Sequence, residues 1–372
     1  MKVATIVGTR PELIKLSRVI AELDSSVRHV LIHTGQNHDY ELNEIFFRDL
    51  EIRKPDHFLD VAGATLGETI GNIIARSYAV LQQERPDVLL VLGDTNSCLS
   101  AIAAKRLKIP IFHMEAGNRC FDERVPEEVN RRIVDHTSDV NLVYTEHARR
   151  YLLAEGVRPE LVIKTGSPMR EVLNHYRVGI ESSDVVSRLG LSAGKFFLVS
   201  AHREENIDSE KNLSELLKSL RALTTRFQLP IIFSTHPRTQ KRLEAAGVDT
   251  ASAEIRFLKP LGFFDYVKLQ MTAFCVLSDS GTITEESSIL GFPAVTIREA
   301  HERPEGMDVG TLIMCGLQPD GVIAAVDTIR RQIDAGTRLR LVPDYEAEDV
   351  SAKVIRIILS YTDYVNRRVW MK

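Results

Sequence analysis

The chain has 372 residues, a length that favours two domains over one continuous core. Its 47 Lys and Arg against 51 Asp and Glu give a net charge of −4, which excludes a generic nucleic-acid binder and confines any anion site to a local gathering of arginines. The longest apolar runs, such as Val88 to Leu92, are far too short to span a membrane, and the first residues run into a strand without a signal-peptide pattern, so a soluble cytoplasmic protein is expected.

Val3 to Val7 is an apolar, β-branched run followed by GTRPE and a helical pattern through Leu23: a strand, a turn and a helix. Gly8 permits the turn and Pro11 suits a first helical position. The free amides there suit a phosphate or carboxylate, to which Arg10 adds a two-pronged partner. An ordinary βα turn with a solvated arginine is the competing reading, since the loop lacks a G-x-G-x-x-G fingerprint. His29 to His33 reads as the next strand and Tyr40 to Leu50 and Leu66 to Gln83 as helices. Val88 to Leu92 is then a buried parallel strand ending in GDTNS. Asp94 in that ending is either a rim carboxylate or a helix-capping acid.

Pro110 to Phe112 is another short buried strand. Residues 113 to 131, HMEAGNRCFDERVPEEVNR, follow it with five acids and three arginines. Glu115 sits where the strand ends, at the carboxyl-end rim where open α/β sheets bind ligands, and Gly117 turns the chain. Pro126 starts a helix on which a spacing of four sets Glu127 and Arg131 on one face. A first-turn glutamate paired with an arginine is often only a surface ion pair. Glu115 with Arg119, Arg124 and Arg131 makes instead a mixed-charge loop able to bind an anion and to move a proton. Cys98, Cys120, Cys275 and Cys315 show no C-x-x-C spacing, so neither a disulfide framework nor a zinc site is expected.

Val140 to Tyr144 and Leu161 to Lys164 are strands, with helices Glu146 to Glu155 and Met169 to Tyr176 after them; the repeated βα pattern implies a parallel sheet. The polar segment Val178 to Ser192 reads as a connection. The pattern restarts at Phe196 to Ser200, which ends in AHREEN. Helix Glu210 to Phe227 and strand Pro230 to Phe233 follow, the latter ending in STHPRT. His202 and His236, each near an arginine, are phosphate contacts at a second rim or satisfied loop histidines. Cys275 to Leu277 opens into SDSGTITEES, where Ser280, Gly281 and Thr282 offer small side chains and amides to a diphosphate at a helix start. Glu285 or Glu286 suits ribose hydroxyls. After Ala294 to Ile297, Arg298 and Arg303 extend a basic lining. The expected domains are 1–170, 171–346 and a helix in 347–372 that crosses back to the first.

GTRPE, GDT, HMEAGNR, PEEVNR, SAHRE, SDSGTITEE and ERPE, in this order over nearly the whole chain, resemble the UDP-N-acetylglucosamine 2-epimerase family. The resemblance implies a GT-B fold: two Rossmann-like α/β domains with parallel sheets and an active site in the cleft between them. It further implies a chemistry without metal or redox cofactor, and a homodimer. Asp94, Glu115 and Glu127 then match acid/base carboxylates, and Arg10, Lys15, Arg131 and His202 match catalytic or phosphate partners. Ser280, Thr282, Glu286 and Arg303 match nucleotide-binding positions. Thr282 in place of a second glycine, together with EAGNRCFDERVPEE, HTGQNHDYELNEIFF and LGDTNSCLSA, resembles the capsule and O-antigen branch. That branch forms UDP-N-acetyl-L-fucosamine by inverting C2 of a 6-deoxy UDP-sugar. The expected function is therefore non-hydrolysing C2 epimerisation of a UDP-N-acetyl sugar by anti elimination and re-addition of UDP. Its rivals are UDP-N-acetylglucosamine to UDP-N-acetylmannosamine epimerisation, a hydrolysing epimerase, a GT-B glycosyltransferase and a catalytically silent nucleotide-sugar sensor.

Overall fold

The computed structural model describes residues 1–36, 40–235, 237–248, 254–300 and 302–372, without the side chains of 40–44, 204, 237 and 238, so His236 lies outside the described residues. The chain divides into two compact units, Met1–His175 with Asp344–Lys372, and Tyr176–Pro343.

The first unit holds strands β1 (Lys2–Val7), β2 (Arg28–His33), β3 (His57–Phe58), β4 (Val88–Leu92), β5 (Ile111–Met114), β6 (Val140–Val143) and β7 (Val162–Lys164). They pair in parallel in the order β3-β2-β1-β4-β5-β6-β7. Continuous apolar runs such as VLLVL in β4, buried at every position, are what strands covered on both faces require. The second unit holds β8 (Phe197–Ser200), β9 (Ile231–Ser234), β10 (Ile255–Leu258), β11 (Cys275–Ser278), β12 (Ala294–Thr296) and β13 (Ile313–Met314), again parallel, in the order β10-β9-β8-β11-β12-β13. Both windings reverse once, between β1 and β4 and between β8 and β11. At such a reversal the helices leave to opposite faces and a crevice opens at the strands' carboxyl ends.

Edge strands β3 and β13 have two residues each, too few to show any periodicity, and β10 also lay outside the sequence reading. The segment read as a polar connection instead carries helices Arg177–Ser182 and Val185–Arg188, which bury Ile180 and Val185. Helices this short give no 3.6-residue signal. The last helix, Val350–Arg368, belongs to the first unit, where it packs on the Arg10–Ser26 helix and buries Val354, Ile358 and Val365. No helix among the described residues is long and apolar enough to cross a membrane.

The turn after β1 is held by an acid folded inward. Glu12 Oε2 accepts from the Gly8 amide at 3.0 Å and from the Thr9 hydroxyl at 2.7 Å. A Cβ on Gly8 would lie 2.1 Å from both Ser97 Oγ and Thr34 Oγ1, so the chain passes here only as glycine. Burial pushes the Glu12 carboxyl up to about 7, against the pull of the hydrogen bonds from Thr9 and Gly8. The folded chain therefore holds this proton more tightly than the unfolded one. The resulting stability is fully present below about pH 4.5 and is lost as pH rises through about 7. Glu12→Gln, uncharged at every pH, should gain about 2–3 kcal/mol relative to wild type between about pH 5 and about pH 8. Urea unfolding followed by Trp370, the only tryptophan and a member of the first unit, measures this; a difference independent of pH would contradict it.

Candidate active site

Asp94 and Glu115 leave the ends of β4 and β5, whose last residues Leu92 and Met114 are paired. Glu115 has φ of 62°, a left-handed conformation that costs an L-residue about 1–2 kcal/mol. Two residues on, Gly117 has φ of 80°, and a Cβ there would come within 2.5 Å of the Ala148 carbonyl oxygen. The Glu115 carboxylate lies 2.5 Å from Lys15 Nζ, which the Arg10–Ser26 helix delivers from below the rim. Lys15 in turn lies 5.7 Å from the Tyr144 ring centroid. Asp94 Oδ2 accepts from Arg131 Nε at 2.7 Å, and the Asp94 carbonyl accepts from Asn130 Nδ2 at 2.9 Å. Lys15 with Glu115 and Arg131 with Asp94 are thus brought together on adjacent strand ends. Arg10 opens its helix with its guanidinium 5.7 Å from the Phe46 ring centroid.

Arg131 finds its helical partner one residue from the expected place. Glu128, fully buried, sits 2.7 Å from Arg131 Nη1 and accepts from the amides of Cys120 at 3.1 Å and Phe121 at 3.3 Å. Burial pushes its carboxyl up, but the Cys120 amide and the Arg131 guanidinium outweigh this and hold it below the usual range. Glu127 stands beside it in the first turn of the Pro126–Thr137 helix, half-buried. Arg119 also departs from the anion-binding loop expected of it. It is turned inward, with Nη1 2.7 Å from Asp135 Oδ2 and Nη2 2.6 Å from Glu155 Oε2. Asp135 accepts from the Gly117 amide at 3.1 Å as well. Burial raises its carboxyl, yet His113 and Arg119 prevail and hold it below the ordinary value. Arg124 is exposed and pairs with Asp122 at 2.7 Å. Burial pushes both Cys98 and Cys120 thiols up, and Glu12, Asp94 and Glu115 add to the effect at Cys98, so neither is a ready nucleophile.

In the second unit the turns after β8 and β11 are joined by Asp279. Its buried carboxylate accepts from the amides of His202 and Arg203, each at 3.0 Å, and from Asn206 Nδ2 at 3.1 Å; His202 Nδ1 lies 3.2 Å from it. The His202 ring is otherwise substantially exposed at the rim. Ser280 and Thr282 precede and open the Thr282–Leu290 helix, their hydroxyls 3.0 Å apart, and a Cβ on Gly281 would stand 2.2 Å from Glu302 Oε1. Glu302 is held by Arg298 at 2.6 Å and Arg203 at 3.2 Å. Arg303 pairs with Glu285 at 3.1 Å, both buried, and Glu286 accepts from Gln270 Nε2 at 2.5 Å. Arg298 and Arg303 are therefore carboxylate-bound groups beneath the rim rather than an open basic lining.

Sequence reasoning missed Glu128, Asp135 and Asp279 as site-building residues. Glu128, Arg131 and Asp135 share one helical face at spacings of three and four, and Asp279 directly follows β11; those were the available signals.

The UDP-N-acetylglucosamine 2-epimerase family model matches residues 21–359. A UDP-N-acetylglucosamine 2-epimerase structure from Rickettsia bellii is 58% identical, with a TM-score of 0.94 and 100% of each chain covered. A UDP-GlcNAc 2-epimerase from Methanocaldococcus jannaschii, solved in complex with UDP-GlcNAc and UDP, is 32% identical with a TM-score of 0.91, covering 97% of this chain and 100% of that one. The UDP-2,3-diacetamido-2,3-dideoxy-D-glucuronate 2-epimerase of Pseudomonas aeruginosa is 33% identical over 335 residues, 88% of this chain and 92% of the relative. With two parallel α/β units of the GT-B kind and a family match over nearly its whole length, the chain belongs to the UDP-N-acetylglucosamine 2-epimerase family of isomerases.

Proposed function

We propose that the protein is a non-hydrolysing C2 epimerase of a UDP-2-acetamido sugar, and that the sugar is of the 6-deoxy series, giving UDP-N-acetyl-L-fucosamine for a surface polysaccharide. The observation that carries the reaction type is the placement of Asp94 and Glu115 on adjacent strand ends, each against a cation of its own unit. The C2 hydrogen of such a sugar is barely acidic, so a carboxylate removes it only as the C1–O bond to UDP breaks. The electron pair of the C2–H bond becomes the C1–C2 double bond of a glycal, and the C1–O pair leaves with UDP. Protonation of C2 from the opposite face and return of a UDP oxygen to C1 complete the inversion with no net consumption of water. Asp94, Glu115 and Glu127 supply the proton-handling groups, and Arg10, Lys15, Arg131 and His202 stabilise the departing charge. Ser280, Gly281, Thr282 and Glu286 serve the nucleotide on the second unit's carboxyl-end rim, with Arg303 beneath them, buried against Glu285. We assign the active form as a cytoplasmic homodimer by analogy with the family.

Support for the 6-deoxy sugar lies in Thr282 and in the loop that carries Asn118 and Cys120, which depart from the plain epimerase pattern. The second reading, UDP-N-acetylglucosamine to UDP-N-acetylmannosamine, draws on the names of the R. bellii and M. jannaschii proteins. The P. aeruginosa relative is named for a third sugar, so C2 chemistry in this family accompanies varied C3 and C6 groups.

A proton NMR time course in deuterated buffer distinguishes these readings. Loss of the C2 signal with a UDP-6-deoxy-L-sugar, and not with UDP-N-acetylglucosamine, is the expected result. Exchange of UDP-N-acetylglucosamine to a manno product would establish the second reading, and accumulation of free 2-acetamido sugar would make the enzyme hydrolytic. Binding of UDP without exchange of any sugar would overturn epimerisation altogether. Glu115→Gln should slow C2 exchange by about 10²–10⁴-fold while UDP affinity, read by calorimetry, stays near wild type; near-normal turnover would remove Glu115 from the proton-handling set.

A further inference from the structure

We infer that His113 and Asp135 are positioning residues that fix the turn bearing Glu115 against the turn bearing Asp94. The inference rests on the C2-epimerase reading, because it concerns the two carboxylates that reading employs.

His113, fully buried on β5, points Nε2 at the Gly93 carbonyl oxygen, 2.7 Å away, and Gly93 is the residue directly before Asp94. The other ring nitrogen, Nδ1, lies 2.9 Å from Asp135 Oδ1. The same Asp135 carboxylate accepts the Gly117 amide, two residues beyond Glu115, at 3.1 and 3.2 Å. By a hydrogen bond from the ring to the Gly93 carbonyl, a close approach of Nδ1 to Asp135 and the Asp135 bonds to Gly117, one imidazole and one carboxylate connect the peptide just before Asp94 to the Ala116–Gly117 peptide beyond Glu115. The strands alone do not make this connection, since their pairing ends where Gly93 donates to the Met114 carbonyl at 2.9 Å. Beyond that point both turns have positive φ, Gly93 at 77°, Glu115 at 62° and Gly117 at 80°, and a non-glycine residue so placed persists only where its surroundings over-determine it.

The charges around the connection are balanced without the rim. Arg119 Nη1 meets Asp135 Oδ2 at 2.7 Å and its far side meets Glu155, which His136 approaches at 3.1 Å. A structural ion pair needs only Arg119 and Asp135. Reaching Gly93 and Gly117 as well is a feature of positioning, and a reaction that needs two carboxylates at set places about one sugar carbon is sensitive to it.

The test uses the full-length protein and the UDP-2-acetamido sugar that wild type exchanges. His113→Leu and Asp135→Asn should each lower kcat for C2 exchange about 10²-fold while KM and the UDP dissociation constant hold within about twofold. His113→Gln, whose amide still reaches the Gly93 carbonyl, should recover part of the loss. It also decides the matter if the other two fail to fold: a lowered kcat at unchanged KM supports positioning. Folded variants with wild-type kcat, or with the loss shared equally by KM, would overturn the inference and leave the epimerase reading standing. Absence of exchange by wild type on every sugar would remove that reading and this inference together.

Discussion

Three charged residues on the inward face of the Pro126–Thr137 helix set the constraint on which the first unit's rim depends. Removing an ion from water costs several kcal/mol unless partners replace the water completely. Glu128 is met by Arg131 and two amides, Arg131 by Glu128 and Asp94, and Asp135 by Arg119, His113 and the Gly117 amide. The helix cannot slide or rotate without leaving one of these charges unpaired. Its position is therefore fixed by electrostatics as well as by packing, and the acids that border the crevice take their places from this buried network.

The second unit solves the same problem with one residue. Asp279 follows β11 and gathers the amides of His202 and Arg203 from the turn after β8, so the two strands flanking the reversal of the winding are stitched at their carboxyl ends. At the equivalent reversal of the first unit Glu12 gathers Gly8 and Thr9 of the turn after β1. In both places a carboxylate takes up backbone donors that would otherwise be orphaned at a strand end. The difference is where the donors come from. Asp279 gathers the amides of another turn, whereas Glu12 takes those of its own turn and lies beside Cys98, where burial favours its neutral form.

Most of the architecture was legible because buried parallel strands leave continuous apolar runs bounded by polar turns. The candidate site was legible at the strand ends, because Asp94, Glu115, His202 and Ser280 stand in the first positions after such runs. What escaped were groups whose role depends on a second, distant segment. Periodicity places Glu127 and Glu128 equally well beside Arg131, since spacings of three and four are both neighbours on a helix; only the amides of Cys120 and Phe121 select Glu128. Arg119 and Arg303 look like anion binders in a linear sequence, and become buried ion pairs once Asp135 and Glu285 arrive from elsewhere. Two-residue strands and one-turn helices such as Arg177–Ser182 carry too few positions for any pattern to emerge.

The pairing of cations at the first unit's rim bears on how a diphosphate is handled in the proposed reaction. Lys15 has Glu115, and Arg131 has Asp94 and Glu128, so each cation is held in place by a carboxylate that also tempers its charge. A leaving group must be stabilised as the C1–O bond breaks, yet it must also return to the glycal on the same molecule of enzyme. A clamp of unopposed positive charge would bind free UDP so deeply that re-addition became the slow step, because binding that favours the intermediate more than the transition state raises the barrier to leaving it. Oriented N–H groups on tempered cations favour the developing charge through geometry, with less excess attraction for the finished dianion. The carboxylates on this rim are thus parts of one requirement of the proposed reaction: charges strong enough to move a proton and release a diphosphate, held so that neither step becomes irreversible.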